Sequence, residues 1–154
     1  MPRRFAEGTS VPIERSKSEI ERLLRKHGAN GFLTAWDERQ GASLVQFRLD
    51  ERMVKMTVDD PERDDFAETA AGRERTEAQL SAAIEQETRR RWRSTLLVIK
   101  AKLELIEGGG STAEREFMAD LLLPDGSTLG EHMGPKLEAA YKGGKMPTLM
   151  LPKG

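Results

Sequence analysis

The sequence predicts one α+β domain over residues 1–154: a three-stranded antiparallel meander packed with an N-terminal helix, a long central helix and two short C-terminal helices. Three observations predict it. Val45, Phe47 and Leu49 alternate with polar residues, as do Val54, Met56 and Val58, and only Asp50-Glu51-Arg52 separates the two runs. That is the pattern of adjacent antiparallel strands with one wet face. A third apolar run, Phe32 to Trp36, precedes them and closes at the polar turn Asp37 to Gly41. From Thr76 onward, nothing interrupts a helical period until Gly108-Gly109-Gly110.

Ahead of the strands, Ser16-Lys17-Ser18-Glu19 has the spacing of a capping box, in which serine and glutamate satisfy each other's early backbone N–H groups. The helix predicted there carries Ile20, Leu23 and Leu24 on one face and ends at His27-Gly28, where glycine suits a left-handed C-terminal position. Val11-Pro12-Ile13 reads as an extended lead-in. After the strands, residues 59–75 hold much charge, a proline and a glycine without periodicity, which predicts a mobile acidic loop.

Thr76-Glu77-Ala78-Gln79 is a second capping box, opening a helix roughly 45 Å long at about 1.5 Å per residue. Leu80, Ile84, Trp92, Leu96, Ile99, Leu103 and Ile106 form its core stripe. Leu97, Val98, Ala101 and Leu105 add apolar residues behind, so burial on nearly all sides is expected for its second half. Ser111 to Glu114 is a third capping box, ahead of a short helix with Phe117, Met118, Leu121 and Leu122. Pro124-Asp125-Gly126 is a turn, and a last helix with Leu129, Met133, Leu137 and Tyr141 is expected to kink or restart at Gly134-Pro135. The tail, 145–154, is expected to lie extended across the core.

Composition narrows function. At 154 residues the chain can bury one core without staples. It has no cysteine, which excludes disulfides, thiolate zinc sites and a cysteine nucleophile, and fits a cytoplasmic setting. The longest apolar run, Leu96 to Ile99, falls far short of the roughly 20 residues of a membrane span, and no signal peptide is expected. Net charge is −1, but unevenly placed: residues 48–70 carry eight acids against four bases, and residues 73–102 eight bases against four acids.

That second stretch holds the expected site. With Trp92 turned to the core, Arg89, Arg93 and Lys100 fall on one flank with Arg90 beside them, the basic stripe that phosphate binding requires. These four are the expected nucleic-acid contacts. A solvated helix face competes with that reading. Glu85–Arg89 and Glu87–Arg91 have the acid-first i,i+4 spacing of helix-stabilising pairs, leaving Arg90 and Arg93 without an obvious acidic partner on the helix. Trp92 is expected to anchor the core rather than stack on a base.

Other chemistry is weakly signalled. Asp59, Asp60, Glu62, Asp64 and Asp65 match no calcium-loop spacing. Asp125, Ser127 and His132 lie close in sequence, but without a nucleophile elbow or oxyanion hole. The triple glycine ends a helix instead of opening one. No enzyme, cofactor or metal is expected. The order helix–strand–strand–strand–helix resembles the double-stranded-RNA-binding domain in topology alone, since Thr76-Glu77-Ala78-Gln79 replaces the basic N-terminus of that family's matching helix.

A fuller resemblance runs along the chain. Phe5 to Ser16, Arg90 to Glu104, Leu123 to Glu131 and Ala140 to Pro147 resemble, in the same order, a family of small proteins encoded by tailed bacteriophages and prophages. The resemblance implies an accessory protein in the host bacterial cytoplasm and supplies no site. The expectation is therefore a non-enzymatic phage accessory protein that binds nucleic acid through the arginine flank. The alternative is a module that binds a host or phage enzyme through the acidic loop or the exposed sheet face. A small sheet with a long helix leaves apolar area that a homodimer would cover.

Overall fold

The computed structural model describes residues 8–146, in the order α1 (Ile13–Lys26), β1 (Gly31–Asp37), β2 (Ala42–Leu49), β3 (Arg52–Asp59), α2 (Glu77–Glu107), α3 (Ala113–Glu116) and α4 (Leu129–Gly143). The fold is α+β, and the sheet is an antiparallel meander in the order β1-β2-β3. Its register pairs Phe32 with Phe47 and Val45 with Met56. This places Phe32, Val45, Phe47, Leu49, Val54, Met56 and Val58 on the face that packs on the helices.

The core lies between that face and two helices that run side by side in the same direction. Thr9 meets Gln86, Glu19 meets Arg93 and His27 meets Glu107, so the chain ascends α1 and α2 together. Ile20 and Leu24 of α1 join Trp92, Leu96, Ile99 and Leu103 of α2, all buried. The Phe117 ring meets Phe47 edge-on, at 5.3 Å between centroids and 84° between planes. Such a pair adds about 0.5–1.5 kcal/mol beyond its burial.

Helix starts are where local chemistry and expectation part. The Thr76–Gln79 box is present, and α2 spans the expected length. The Ser16–Glu19 box is not. Helix α1 begins at Ile13 with Pro12 as its N-cap, whose carbonyl accepts from the Arg15 and Ser16 N–H groups. The proline's fixed φ sets up the helix one turn early. Ser16 is then interior, buried and turned from capping, while Glu19 turns to arginines. The third box is also displaced: Thr112, not Ser111, accepts from the Arg115 N–H.

The short helix ends sooner than the sequence suggests. A 3-10 turn over Met118–Asp120 follows α3, and Leu121 and Leu122 are extended, bridging Val54 and Thr128. The Leu122 N–H donates to the Met53 carbonyl, satisfying part of the outer edge of β3. Helix α4 opens with a Thr128–Glu131 capping box and runs through Pro135 as one helix, so of the expected kink or restart the restart does not occur. It buries no side chain. The back of α2 also differs: Val98, Ala101 and Leu105 are exposed, because the sheet and α1 cover one side of the helix only.

The connection from β3 to α2 has local order. A 3-10 turn spans Arg63–Phe66, Glu68 bridges Glu74 around Gly72, and the Arg75 guanidinium donates to the Phe66 carbonyl. Only Lys145 and Met146 of the expected extended tail fall within the described residues.

Candidate functional site

The capping box at Thr76 sets the start of α2, and burial of Trp92 sets its rotation. Together they fix where each arginine points. Arg89 donates to Glu85 at 2.8 Å and to the Gln86 side chain at 2.6 Å. Arg90 grips both oxygens of Glu87, at 2.6 and 2.8 Å. Arg91 reaches the same carboxylate at 3.1 Å and the Asp59 backbone carbonyl at 2.8 Å. Arg93 crosses to Glu19 of α1 at 2.7 Å. Lys100 lies exposed two turns further along and engages in no ion pair among the described residues.

Arg90 and Arg93, read from the helix alone as lacking acids, therefore have them. Arg90 uses an i,i+3 partner and Arg93 a tertiary one, and neither relation belongs to the i,i+4 pattern used to search for them. Glu87 is the pivot. Its side chain is buried, and the Arg90 hydrogen bonds, opposed by burial and reinforced by Arg91, lower its pKa to about 2. Five guanidiniums, from Arg15, Arg89, Arg90, Arg91 and Arg93, share three carboxylates in this network: Glu19, Glu85 and Glu87. A positive excess therefore remains. Beside it, Arg90, Arg91, Ser94 and Thr95 face Thr57 and Asp59 across an open groove of about 400 Å³.

The exposed sheet face was expected as an alternative docking surface, but the open edge beside it and Trp36 were not singled out from sequence. Strand β1 is an edge, hydrogen-bonded to β2 on one side and, among the described residues, to no strand on the other. It exposes Leu33 and Ala35 on the outer face of the sheet. Trp36 lies opposite buried Ser43 yet is 63% exposed, with its indole N–H donating to Asp60 at 3.2 Å. The sequence signal was there in principle: an aromatic placed at the last turn-proximal step of an edge strand.

Two residues of the acidic loop and the Ser127–Asp125 pair hold local structure. Asp60 holds Trp36, and Arg63 pairs with Glu77 at the start of α2. The Ser127 hydroxyl donates to Asp125 at 2.6 Å and its N–H to the same oxygen at 3.0 Å. Those bonds hold the Asp125 carboxyl below its usual range and fix the turn into α4. Trp92 is in the core, with the Lys17 ammonium 5.0 Å from its ring centre.

No described helix is long and apolar enough to cross a membrane. Compared with protein-family models, with curated proteins and with solved structures, the chain matches none.

Proposed function

We propose that the protein is a non-catalytic protein-binding module that docks through the open β1 edge and the sheet face beside it. One observation carries the reading: β1, with no second strand partner among the described residues, exposes Leu33 and Ala35 on the outer sheet face and Trp36 from its other face near the strand's end. An unpaired edge offers backbone hydrogen bonds to an extended segment, and alternate side chains beside it supply selectivity. Tryptophan is over-represented among residues that dominate binding energy at interfaces. The resemblance to tailed-phage proteins supports a host or phage enzyme as the class of partner, met in the bacterial cytoplasm.

A second reading, nucleic-acid binding, is favoured by the excess of guanidinium over carboxylate around Glu87 and by exposed Lys100. Its expected contacts remain Arg89, Arg90, Arg93 and Lys100, with Arg91 added because it lines the groove. Phosphate would have to compete with carboxylates already in place, which weighs against it.

Affinity capture from infected or host cells tests both. Wild type and a Leu33→Lys/Trp36→Ser variant are compared, each with and without nuclease. A protein held by wild type, kept after nuclease and lost with the variant supports edge docking. A partner lost on nuclease treatment and indifferent to the variant sinks it and favours nucleic acid.

A further inference from the structure

The C-terminal ends of α1 and α2 come together at a cluster that the sequence hides, because His27 and Glu107 lie far apart in the chain. His27 offers Nδ1 to Glu107 at 3.5 Å. Glu104, one turn back on α2, brings a second carboxylate, and one ligand atom from each of the three residues lies within 4.8 Å of the others. The spacing of Glu104 and Glu107 puts both on one face of the helix.

Two independent features point to a cation here. The His27 side chain is only 7% exposed, and its Nε2 is buried without a hydrogen-bond partner among the described residues. The ring turns Nδ1, not Nε2, toward Glu107, so Nδ1 is the ligand atom, and burial of the rest of the ring holds it in that orientation. The electrostatics point the same way. Helix C-termini carry a partial negative charge and favour basic residues, yet the last turn of α2 has none and instead carries Glu104 and Glu107. Helix α1 ends beside it with the same polarity; of the two basic residues in its last turn, Arg25 is taken by Glu21 and Lys26 is exposed. Among the described residues Glu104 has no hydrogen-bond or ion-pair partner through its side chain. Two carboxylates at converging helix C-termini, neither of them ion-paired with a lysine or arginine among the described residues, favour a positive charge beside them.

The geometry points to a binding site for a divalent transition-metal ion, zinc above all, with His27, Glu104 and Glu107 as its protein ligands. One imidazole and two carboxylates suit a borderline ion better than magnesium or calcium, which prefer all-oxygen sets. Tetrahedral bonds near 2 Å put ligand atoms roughly 3.3 Å apart, close to the His27–Glu107 spacing. The exposed Glu104 and Glu107 side chains can close the remaining gap. Three protein ligands leave a fourth position for water or for a donor from a partner. The ion would cross-link the ends of α1 and α2 and neutralise both.

The test is a zinc titration of the full chain, followed by calorimetry, by thermal midpoint and by the ring resonances of the two histidines. One equivalent should bind, the midpoint should rise with zinc, and the His27 ring should shift while His132 does not. The Glu104→Gln/Glu107→Gln variant changes only exposed side chains, so it should fold. It should lose zinc affinity by at least the ~10–100-fold that removing a mere supporting hydrogen bond costs. His132→Gln should bind as wild type does. Absence of binding to wild type, retention of binding in the double glutamine variant, dependence on His132, or an equal response to magnesium would each overturn the assignment.

Discussion

Arg93 of α2 reaches Glu19 of α1 at 2.7 Å, and Arg15 reaches the other oxygen of the same carboxylate at 3.2 Å. Burial pushes the Glu19 carboxyl up, but the hydrogen bonds and charges of Arg93 and Arg15 outweigh it and leave it below its ordinary value. The contact joins two helices far apart in sequence, so it belongs to the fold before any ligand arrives. A double-mutant cycle with Glu19→Gln and Arg93→Gln should give a coupling of about 1 kcal/mol, the top of the range for partly exposed pairs. Urea unfolding of the four proteins measures it. Zero coupling would return Arg93 to the pool of arginines available for phosphate.

The Glu87 carboxyl makes stability depend on pH in a defined window. Its pKa is about 2 in the fold against an ordinary 4.5. A depressed carboxylate contributes stability that is full above 4.5 and fades as pH falls through about 2. The difference corresponds to roughly 3 kcal/mol at neutral pH. Glu87→Gln should therefore be less stable than wild type by about that much at pH 7, since Arg90 and Arg91 lose their anion. The gap should narrow progressively toward pH 2. A gap that stays constant across chemical denaturation at pH 7, 4 and 2.5 would assign the effect to packing instead of charge.

Both contacts explain how far the sequence could be read. Periodicity located the three strands and the 31 residues of α2, because burial of one face repeats along each element and leaves its mark in every residue. The cap at Thr76 was legible, but not the start at Pro12, where a proline begins the helix without a side-chain oxygen. Tertiary pairings such as Arg93–Glu19 and His27–Glu107 leave no local trace, since either residue alone reads as an ordinary surface charge or a C-terminal histidine. The exposed back of α2 was misjudged for a related reason. Val98 and Leu105 are apolar, but one sheet and one helix cannot wrap a cylinder.

Trp92 is almost fully buried among Leu96, Ile20 and the sheet residues of the core, and Lys17 sits over its ring. Trp92→Ala should cost about 3–5 kcal/mol, the usual range for deleting a large buried aromatic. Thermal and urea unfolding measure it. A variant with an unchanged midpoint would contradict the packing.

Gly130 determines how closely α4 seats. A Cβ there would lie 2.9 Å from the Ala119 carbonyl oxygen, which as backbone cannot swing aside. No side chain of α4 is fully buried, although Leu129 and Met133 are half-buried, so this close approach adds to a shallow attachment. Gly130→Ala should cost about 1–3 kcal/mol through overpacking, opposed by the gain in helix propensity of up to ~1 kcal/mol. Hydrogen exchange should show the loss confined to α4 and the 3-10 turn beneath it. Uniform acceleration over the whole chain would mean that α4 supports the core more than its exposure implies.

The hairpin between β2 and β3 carries strain that can be removed. Leu49 pairs with Arg52, so the turn has two central residues, and both have left-handed backbone: Asp50 at φ 48° and Glu51 at φ 61°. Two-residue turns of this hand match strand twist, but they favour Asn-Gly because an ordinary side chain is crowded at positive φ. Left-handed backbone costs an ordinary residue roughly 1–2 kcal/mol, less for aspartate. Asp50→Asn with Glu51→Gly should relieve most of that, and glycine's greater freedom in the unfolded chain should return about 0.5–1 kcal/mol of it. The net expectation is a gain near 1 kcal/mol, or a rise of about 2–4 °C in thermal midpoint for a chain of this size. Glu51→Ala is the control: alanine keeps the Cβ, so it should not reproduce the gain. A rise with alanine would place the penalty in the glutamate charge, and a fall with Asn-Gly would mean that the acidic side chains hold the turn.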